Sequence, residues 1–181
     1  MDQNVDSIMQ KIQEIHFDIK KITGANWQWE DTTTNLWRSM TSAASTPREW
    51  MDFFLSPQVN QTVPVELAKM LEVARGTMIY SWYFYPLATL GAEQCFRILD
   101  TAAIVRIKNA GLRTKRKQTF NDNIIAMARH GLITQVNEKR WHAIRDLRND
   151  SSHPAFQTIL DPGQAQSLLS VAAELLNNLF G

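Results

Sequence analysis

Cysteine is almost absent from this sequence. The 181 residues include a single cysteine, Cys95, so an internal disulfide is impossible. A chain of this length can bury a sufficient core without cross-links, and the scarcity of cysteine fits a reducing compartment. The four histidines have no ligand spacing with Cys95 or with clustered carboxylates, so a zinc site is not expected. We predict one domain, with or without an appendage, that needs no metal or cofactor.

An excess of charge of one sign is also missing. The chain has 19 Lys and Arg residues against 18 Asp and Glu residues, a formal net charge of +1. No overall positive field therefore draws the protein to nucleic acid, and any such binding has to come from a local patch. One candidate is the basic loop that contains Arg113, Lys115, Arg116 and Lys117. These side chains can follow an RNA backbone, although a basic run is more often a solvated loop.

No apolar run is long enough for a clear membrane span. Residues 76–92 carry no charge, but Pro86 interrupts them and Arg75 and Glu93 close them. A spanning helix needs about 20 apolar residues, so this segment predicts a buried core helix. The first ten residues lack the basic and apolar regions of a signal peptide. We expect a cytoplasmic protein with no membrane segment.

Sustained period-two alternation is absent, and no internal repeat is present, so the sequence predicts an all-α fold. Residues 5–22 carry isoleucines at alternating spacings of three and four, which is typical of a narrow helical seam. This helix is predicted to pack on its own domain, with a dimer contact as the alternative. Residues 23–46 are predicted to be irregular and to fold back onto the body through three tryptophans, Trp27, Trp29 and Trp37.

Capping and breaking signals place the remaining helices. Thr46 to Glu49 has the form of a capping box with proline at the first helical position. A helical pattern runs from Pro64 to about Lys108, with a break at Pro86. The further predicted helices cover 121–130, stopped by Gly131, then about 137–149, and a last helix that starts at Asp161-Pro162. The aromatic block of residues 82–85 is expected in the core rather than stacked on bases.

The helix before residue 150 places an arginine on its apolar face. Arg148 lies four residues after Ile144 and seven after Trp141. Seven steps of 100° return to within about 20° of the starting direction, so Arg148 shares the stripe of these two residues. A charge there is costly unless it is paired or binds an anionic ligand. The alternative is that Arg148 bonds the free carbonyls of the last helical turn.

A compact polar corner follows this arginine. His153 precedes Pro154, and the proline biases His153 away from helical geometry. The residues between Arg148 and His153 are of the kinds that bond their own backbone in turns. Such a corner can hold an imidazole and a guanidinium near one another, although a single loop histidine is more often structural or solvated.

The order of these segments resembles the HEPN superfamily. The basic loop, then TFNDNIIAMARHGLI, then WHAIRDLRNDSSHP and an amphipathic last helix are similar to that family over about residues 62–181. Its motif is an arginine, four to six residues and a histidine, here Arg148 and His153. The resemblance implies a HEPN-like four-helix bundle core over 62–181, and residues 1–61 are then an N-terminal helical extension.

The resemblance also implies roles for individual residues. Arg148 and His153 match the catalytic pair, and Asn149 matches the supporting polar residue. Asp150 and Ser152 lie inside the motif as further supporting residues, and Glu93 is a looser match to an acidic residue on an earlier helix. The tyrosine that one toxin branch places two residues before the histidine is Ser151 here, which weakens an assignment to that branch.

Many members of this family are homodimeric, metal-independent ribonucleases, and others are inactive binding modules. In RNA the 2′-hydroxyl is the nucleophile, imidazole suits the proton transfers, and guanidinium suits the charge on phosphorus. A two-fold axis through the motifs supplies a second pair. We expect an endoribonuclease, in a defence or toxin–antitoxin context with an antitoxin or other protein partner. The alternatives are an inactive module that binds RNA or protein, and a structural dimer in which Arg148 caps its helix.

Overall fold

The computed structural model describes residues 25, 30–41, 44–112, 118–151 and 159–181. Within these ranges the chain forms α-helices and contains no β-strand, which confirms the all-α prediction. The seven described helices are α1 (Thr32–Thr41), α2 (Pro47–Leu55), α3 (Val65–Tyr80), α4 (Leu87–Asn109), α5 (Phe120–Arg129), α6 (Gln135–Ser151) and α7 (Pro162–Phe180). The predicted seam over residues 5–22 lies outside the described residues.

The apolar segment of residues 76–92 is divided between two helices. Helix α3 ends at Tyr80, and Pro86 stands directly before the first residue of α4, which confirms the predicted break. Between the two helices, Trp82 and Tyr85 are buried, whereas Tyr83 is exposed. No helix in the described ranges is both long enough and apolar enough to cross a membrane.

Helix α4 forms the centre of the core. It packs most extensively against α3 and α7, and it also contacts α5 and α6. Its buried face combines small and large side chains, which lets neighbouring helices approach closely. The buried residues of α4 are Ala88, Gly91, Ala92, Cys95, Phe96, Ile98, Leu99, Ala102, Ala103 and Ile107.

Helices α1 and α2 join the same core through aromatic side chains. Trp50 makes edge-to-face contacts with Trp37, Phe54 and Trp82, with ring centroids 5.9, 5.3 and 5.8 Å apart. The Trp50 indole N–H also donates to the Ile79 carbonyl at 3.0 Å. The described part of residues 30–61 is thus packed on the helical body. The boundary at residue 61 and the four-helix arrangement of the core stay predictions.

One expectation about the N-terminal region is wrong. Residues 23–46 were expected to be irregular, but Thr32–Thr41 is helical. Asp31 starts this helix, because its side chain accepts hydrogen bonds from the Thr33 and Thr34 amides at 2.7 and 3.3 Å. Burial then outweighs the low helix propensity of threonine. The fold-back expected of Trp37 is confirmed by its burial, whereas Trp27 and Trp29 lie outside the described residues.

The predicted helix signals act as expected. Thr46 and Glu49 form the capping box of α2, with Pro47 in the first turn. Asp161 caps α7 by accepting hydrogen bonds from the amides of Gly163 and Gln164 at 2.8 and 3.0 Å. Gly131 follows α5 with a positive φ of 66°, a conformation that glycine adopts without strain. A capping box at the start of α5, between Thr119 and Asp122, was not anticipated.

Candidate functional site

Arg148 lies in the last turn of α6, next to the apolar stripe. Trp141 and Ile144 on that stripe are buried, and Trp141 packs on Phe120 with ring centroids 6.0 Å apart. The guanidinium carbon of Arg148 lies 5.6 Å from the centroid of the same Phe120 ring. Its side chain is 37% exposed, so the cation is at the edge of the core rather than inside it.

The carboxylate beside Arg148 comes from another helix. Asp100 on α4 places Oδ2 3.2 Å from Nη1 of Arg148, and its side chain is 26% exposed. In the sequence, Glu93, Arg97 and Asp100 are spaced by four and three residues, which places them on one polar stripe of their helix but does not pair Asp100 with Arg148. Partial burial makes this pair more than a solvated surface contact, because the attraction between charges grows as water is excluded.

Arg148 also lines a polar cleft between α5 and α6. The cleft has a volume of about 370 Å³, and two of its lining side chains are guanidiniums. It is formed by the first turn of α5 and the last two turns of α6. We call it the arginine cleft, and its lining residues are Thr119, Phe120, Asn121, Arg145, Arg148 and Asn149.

Arg145 is held in this cleft from two sides. Its Nη1 donates to Oδ1 of Asn121 on α5 and lies 3.1 Å from Nδ1 of His142. Its Nε and Nη2 both donate to a single oxygen of Asp146, the Nε bond measuring 3.0 Å. Arg145 was not among the site residues predicted from the sequence. The available signal was its position three residues before Arg148, which places the two residues on neighbouring parts of one helix face.

The other motif residues on α6 lie at its end. Asn149 lines the arginine cleft, and Asp150 is exposed. The hydroxyl of Ser151 donates to the carbonyl of Arg148 at 2.9 Å. Ser151 therefore bonds the end of its own helix.

Glu93 stands on α4 as predicted, but on an exposed part of it. It precedes Asp100 by seven residues, which corresponds to about 10 Å along the helix axis. The acidic group beside Arg148 is therefore Asp100. A role for Glu93 stays a prediction.

The remaining predicted site residues lie outside the described residues. These are His153 and Ser152, which follow α6 directly, and the basic residues Arg113, Lys115, Arg116 and Lys117. In the sequence, the basic run ends two residues before Thr119, the residue that caps α5 and lines the arginine cleft. The roles predicted for these six residues stay predictions.

Histidine and acidic side chains do not gather into a metal-binding group anywhere in the described ranges. Of the described histidines, His130 follows α5 and is exposed. His142 lies on α6 between Arg145 and Glu138, with Nε2 3.9 Å from the Glu138 carboxylate. His142 is thus the described imidazole that contacts an arginine of the cleft.

Cys95 is unsuited to nucleophilic chemistry. Its side chain is fully buried on α4, and desolvation raises the pKa of the thiol to about 12, while the charge of Arg75 acts in the opposite direction. The thiolate is the reactive form of cysteine. Cys95 is therefore a packing residue. Burial also raises the pKa of the Tyr85 hydroxyl, helped by the charges of Asp161 and Asp31.

A second cavity, of about 500 Å³, lies on another side of the α6 terminus. Its walls are mainly aliphatic and aromatic, and none of its lining residues is charged. They are Phe96, Leu147, Ser151, Leu160, Gly163, Gln164, Ser167, Leu168 and Val171. Of the two cavities at the end of α6, the arginine cleft is thus the one lined by charged side chains.

Comparison with known proteins gives one family match. A family model described as a domain of unknown function, DUF4145, matches residues 94–180, just under half of the chain. No curated protein and no solved structure has a significant match to the chain. The matched range includes Asp100 and every residue that lines the arginine cleft.

Proposed function

We propose that this protein is a metal-independent endoribonuclease of HEPN type, with Arg148 and His153 as its catalytic residues. The observation that carries the proposal is the position of Arg148. Its guanidinium lines a solvent-accessible cleft beside a second arginine, five residues before the histidine of the motif. A partly exposed guanidinium between an aromatic ring and a carboxylate is held in place, which favours binding of a phosphate.

The proposed reaction uses the 2′-hydroxyl of the RNA as the nucleophile. His153 removes the proton from this hydroxyl while the oxygen attacks the adjacent phosphorus. The bond from phosphorus to the 5′-oxygen breaks, and the leaving oxygen takes a proton from a protonated imidazole. Arg148 stabilises the additional negative charge on the phosphoryl oxygens. The products are a 2′,3′-cyclic phosphate and a 5′-hydroxyl end.

A homodimer completes this proposal. In-line displacement is helped by groups on both sides of the phosphorus, and one chain carries one copy of the motif. A two-fold axis at the motifs places a second Arg148 and His153 at the same cleft. We expect a mass in solution twice the 20.8 kDa of the chain, as measured by light scattering. The cytoplasmic location, the defence or toxin–antitoxin context and an antitoxin partner belong to the same proposal.

The test is cleavage of labelled RNA in the presence of EDTA. We expect the wild-type protein to cut RNA in chelator, and both Arg148→Ala and His153→Ala to lose at least about 100-fold in rate. Arg140→Ala is the matched control, because Arg140 lies on the same helix but pairs with Glu174 on α7, outside the cleft. Circular dichroism has to show the same helix content for all four proteins.

Two results contradict the nuclease proposal. Equal cutting by all four proteins assigns the activity to a contaminant or another site. If wild-type protein leaves RNA of varied sequence intact, the active-enzyme proposal fails.

The second candidate is a catalytically inactive module of the same fold that binds RNA or a protein partner. The ion pair between Arg148 and Asp100 favours it, because a neutralised guanidinium can stabilise the packing of α6 on α4 without any chemistry. This candidate predicts binding of RNA or of a protein without cleavage, and a loss of thermal stability in Arg148→Ala.

A further inference from the structure

We infer that Arg145 is a second phosphate-binding residue, which holds a backbone phosphate of RNA next to the one held by Arg148. This inference rests on the proposed function, since it names a further contact for the same substrate. It concerns a residue outside the arginine–histidine motif. The observation behind it is the division of the Arg145 guanidinium into an anchored edge and an exchangeable edge.

The anchored edge is Nη1. It donates to the Asn121 side chain on the neighbouring helix and contacts the His142 ring on its own helix. These two contacts fix the guanidinium across the gap between α5 and α6. Fixing a long side chain in advance lowers the entropy lost when a ligand binds. The Arg145 guanidinium is therefore preorganised to bind a ligand in the cleft.

The exchangeable edge is formed by Nε and Nη2. Both groups donate to one carboxylate oxygen of Asp146, the next residue in the chain, whose side chain is 58% exposed. An exposed pair of this kind contributes little stability. A phosphate offers two oxygens to the same two donors, which is the bidentate geometry that guanidinium prefers. Asp146 thus occupies the position that a phosphate takes when RNA binds.

The surroundings of this edge favour an anion. The cleft lies at the first turn of α5, where the positive end of the helix dipole is directed towards its lining residues. Two of the acidic groups nearby already have partners, since Asp122 caps α5 through Thr119 and Asp100 pairs with Arg148. Arg145 and Arg148 are one helical turn apart, so successive phosphates of one strand can meet one guanidinium each.

The experiment measures binding without cleavage. The probe is a fluorescein-labelled single-stranded oligonucleotide in which every 2′-hydroxyl is replaced by 2′-O-methyl, so that the nucleophile is absent. Fluorescence anisotropy gives the Kd for the full-length protein at several salt concentrations. We expect Arg145→Ala to weaken binding about tenfold and to reduce the slope of log K against log salt by about 0.7. Arg140→Ala should bind like the wild type.

A second variant separates phosphate binding from a structural role. Asp146→Asn removes the competing carboxylate from an exposed position, and we expect it to bind the probe a few-fold more tightly than the wild type. A purely structural Arg145–Asp146 pair predicts no gain. Asp146→Asn changes an exposed side chain, so its measured Kd tests the inference even if Arg145→Ala does not fold.

Several outcomes overturn the inference. They are failure of the wild type to bind the probe, unchanged binding and salt dependence in Arg145→Ala, an equal loss in Arg140→Ala, and no gain in Asp146→Asn. Failure of the nuclease proposal looks different. In that case unmodified RNA stays intact, while Arg145 still contributes to binding of the modified probe.

Discussion

Arg148 shows how one residue combines packing and charge. Its side chain lies against the Phe120 ring, and its charged end reaches Asp100 on α4 and the arginine cleft. A long cationic side chain can lie along apolar surface while its head remains hydrated. The contacts at the end of α6 therefore also keep the guanidinium at the edge of the arginine cleft.

The charge of Asp100 can be removed with little change in shape. We expect Asp100→Asn to lower the rate of RNA cleavage about tenfold, mainly in kcat, because the positioning of Arg148 is lost while the arginine itself remains. The free energy of unfolding should change by less than about 1 kcal/mol, since the pair is partly exposed. Unchanged kcat in Asp100→Asn, together with loss of cleavage in Arg148→Ala, would show that Asp100 does not position the arginine.

Cys95 gives a second prediction at this scale. Its pKa of about 12 means that the thiol is protonated at pH values below that, and the thiolate needed for reaction with Ellman's reagent is suppressed. We expect no colour from the native protein at about pH 8 and one thiol per chain after denaturation in guanidinium. Rapid reaction of the native protein would contradict the burial of Cys95.

At the scale of the helices, α3 and α4 meet at a glycine. A Cβ added to Gly91 would overlap with the Met78 side chain and approach the Ala74 carbonyl oxygen to 2.9 Å. The methionine can move, but the carbonyl belongs to the backbone of α3. Close contact between these two helices therefore depends on the absence of a side chain at position 91.

Gly91→Ala tests this contact. Overpacking of this kind costs about 1 to 3 kcal/mol in the free energy of unfolding, measured by urea denaturation. Gly76→Ala is the matched control, because Gly76 also lies in a helix but has nothing within 4 Å of an added Cβ. For Gly76→Ala we expect the free energy of unfolding to rise by about 0.5 to 1 kcal/mol, because alanine is more favourable than glycine within a helix. Equal effects of the two substitutions would contradict the close approach at Gly91.

At the scale of the whole molecule, the aromatic cluster connects the chain before residue 61 to the body. Trp50 is 1% exposed and contacts rings from α1, from α2 and from the connection between α3 and α4. The described N-terminal helices are therefore part of the same hydrophobic core.

Trp50→Ala should destabilise the whole protein by about 3 to 5 kcal/mol, because a large buried side chain and an indole hydrogen bond are lost. Met51→Ala, at an exposed position next to it, should change stability by less than about 0.5 kcal/mol. Loss of α1 and α2 alone, with the unfolding temperature of the remaining helices unchanged, would show that the N-terminal helices are an independent unit.

The local features of this protein were determined by sequence alone. The capping box at Thr46, the cap at Asp161, the break at Pro86 and the helix end at Gly131 depend on interactions within one or two turns, so short stretches contain the signal for them. The position of Arg148 beside its apolar stripe follows from the helical period in the same way.

The tertiary structure alone decided which residues meet. Asp100 and Arg148 are separated by 48 positions, and Asn121 and Arg145 by 24, so each pair depends on how whole helices pack. Helix α1 was missed for a related reason, because its polar threonines become helical only through a cap and buried contacts with distant residues. Such contacts are products of the packed core, and no periodicity within a single segment encodes them.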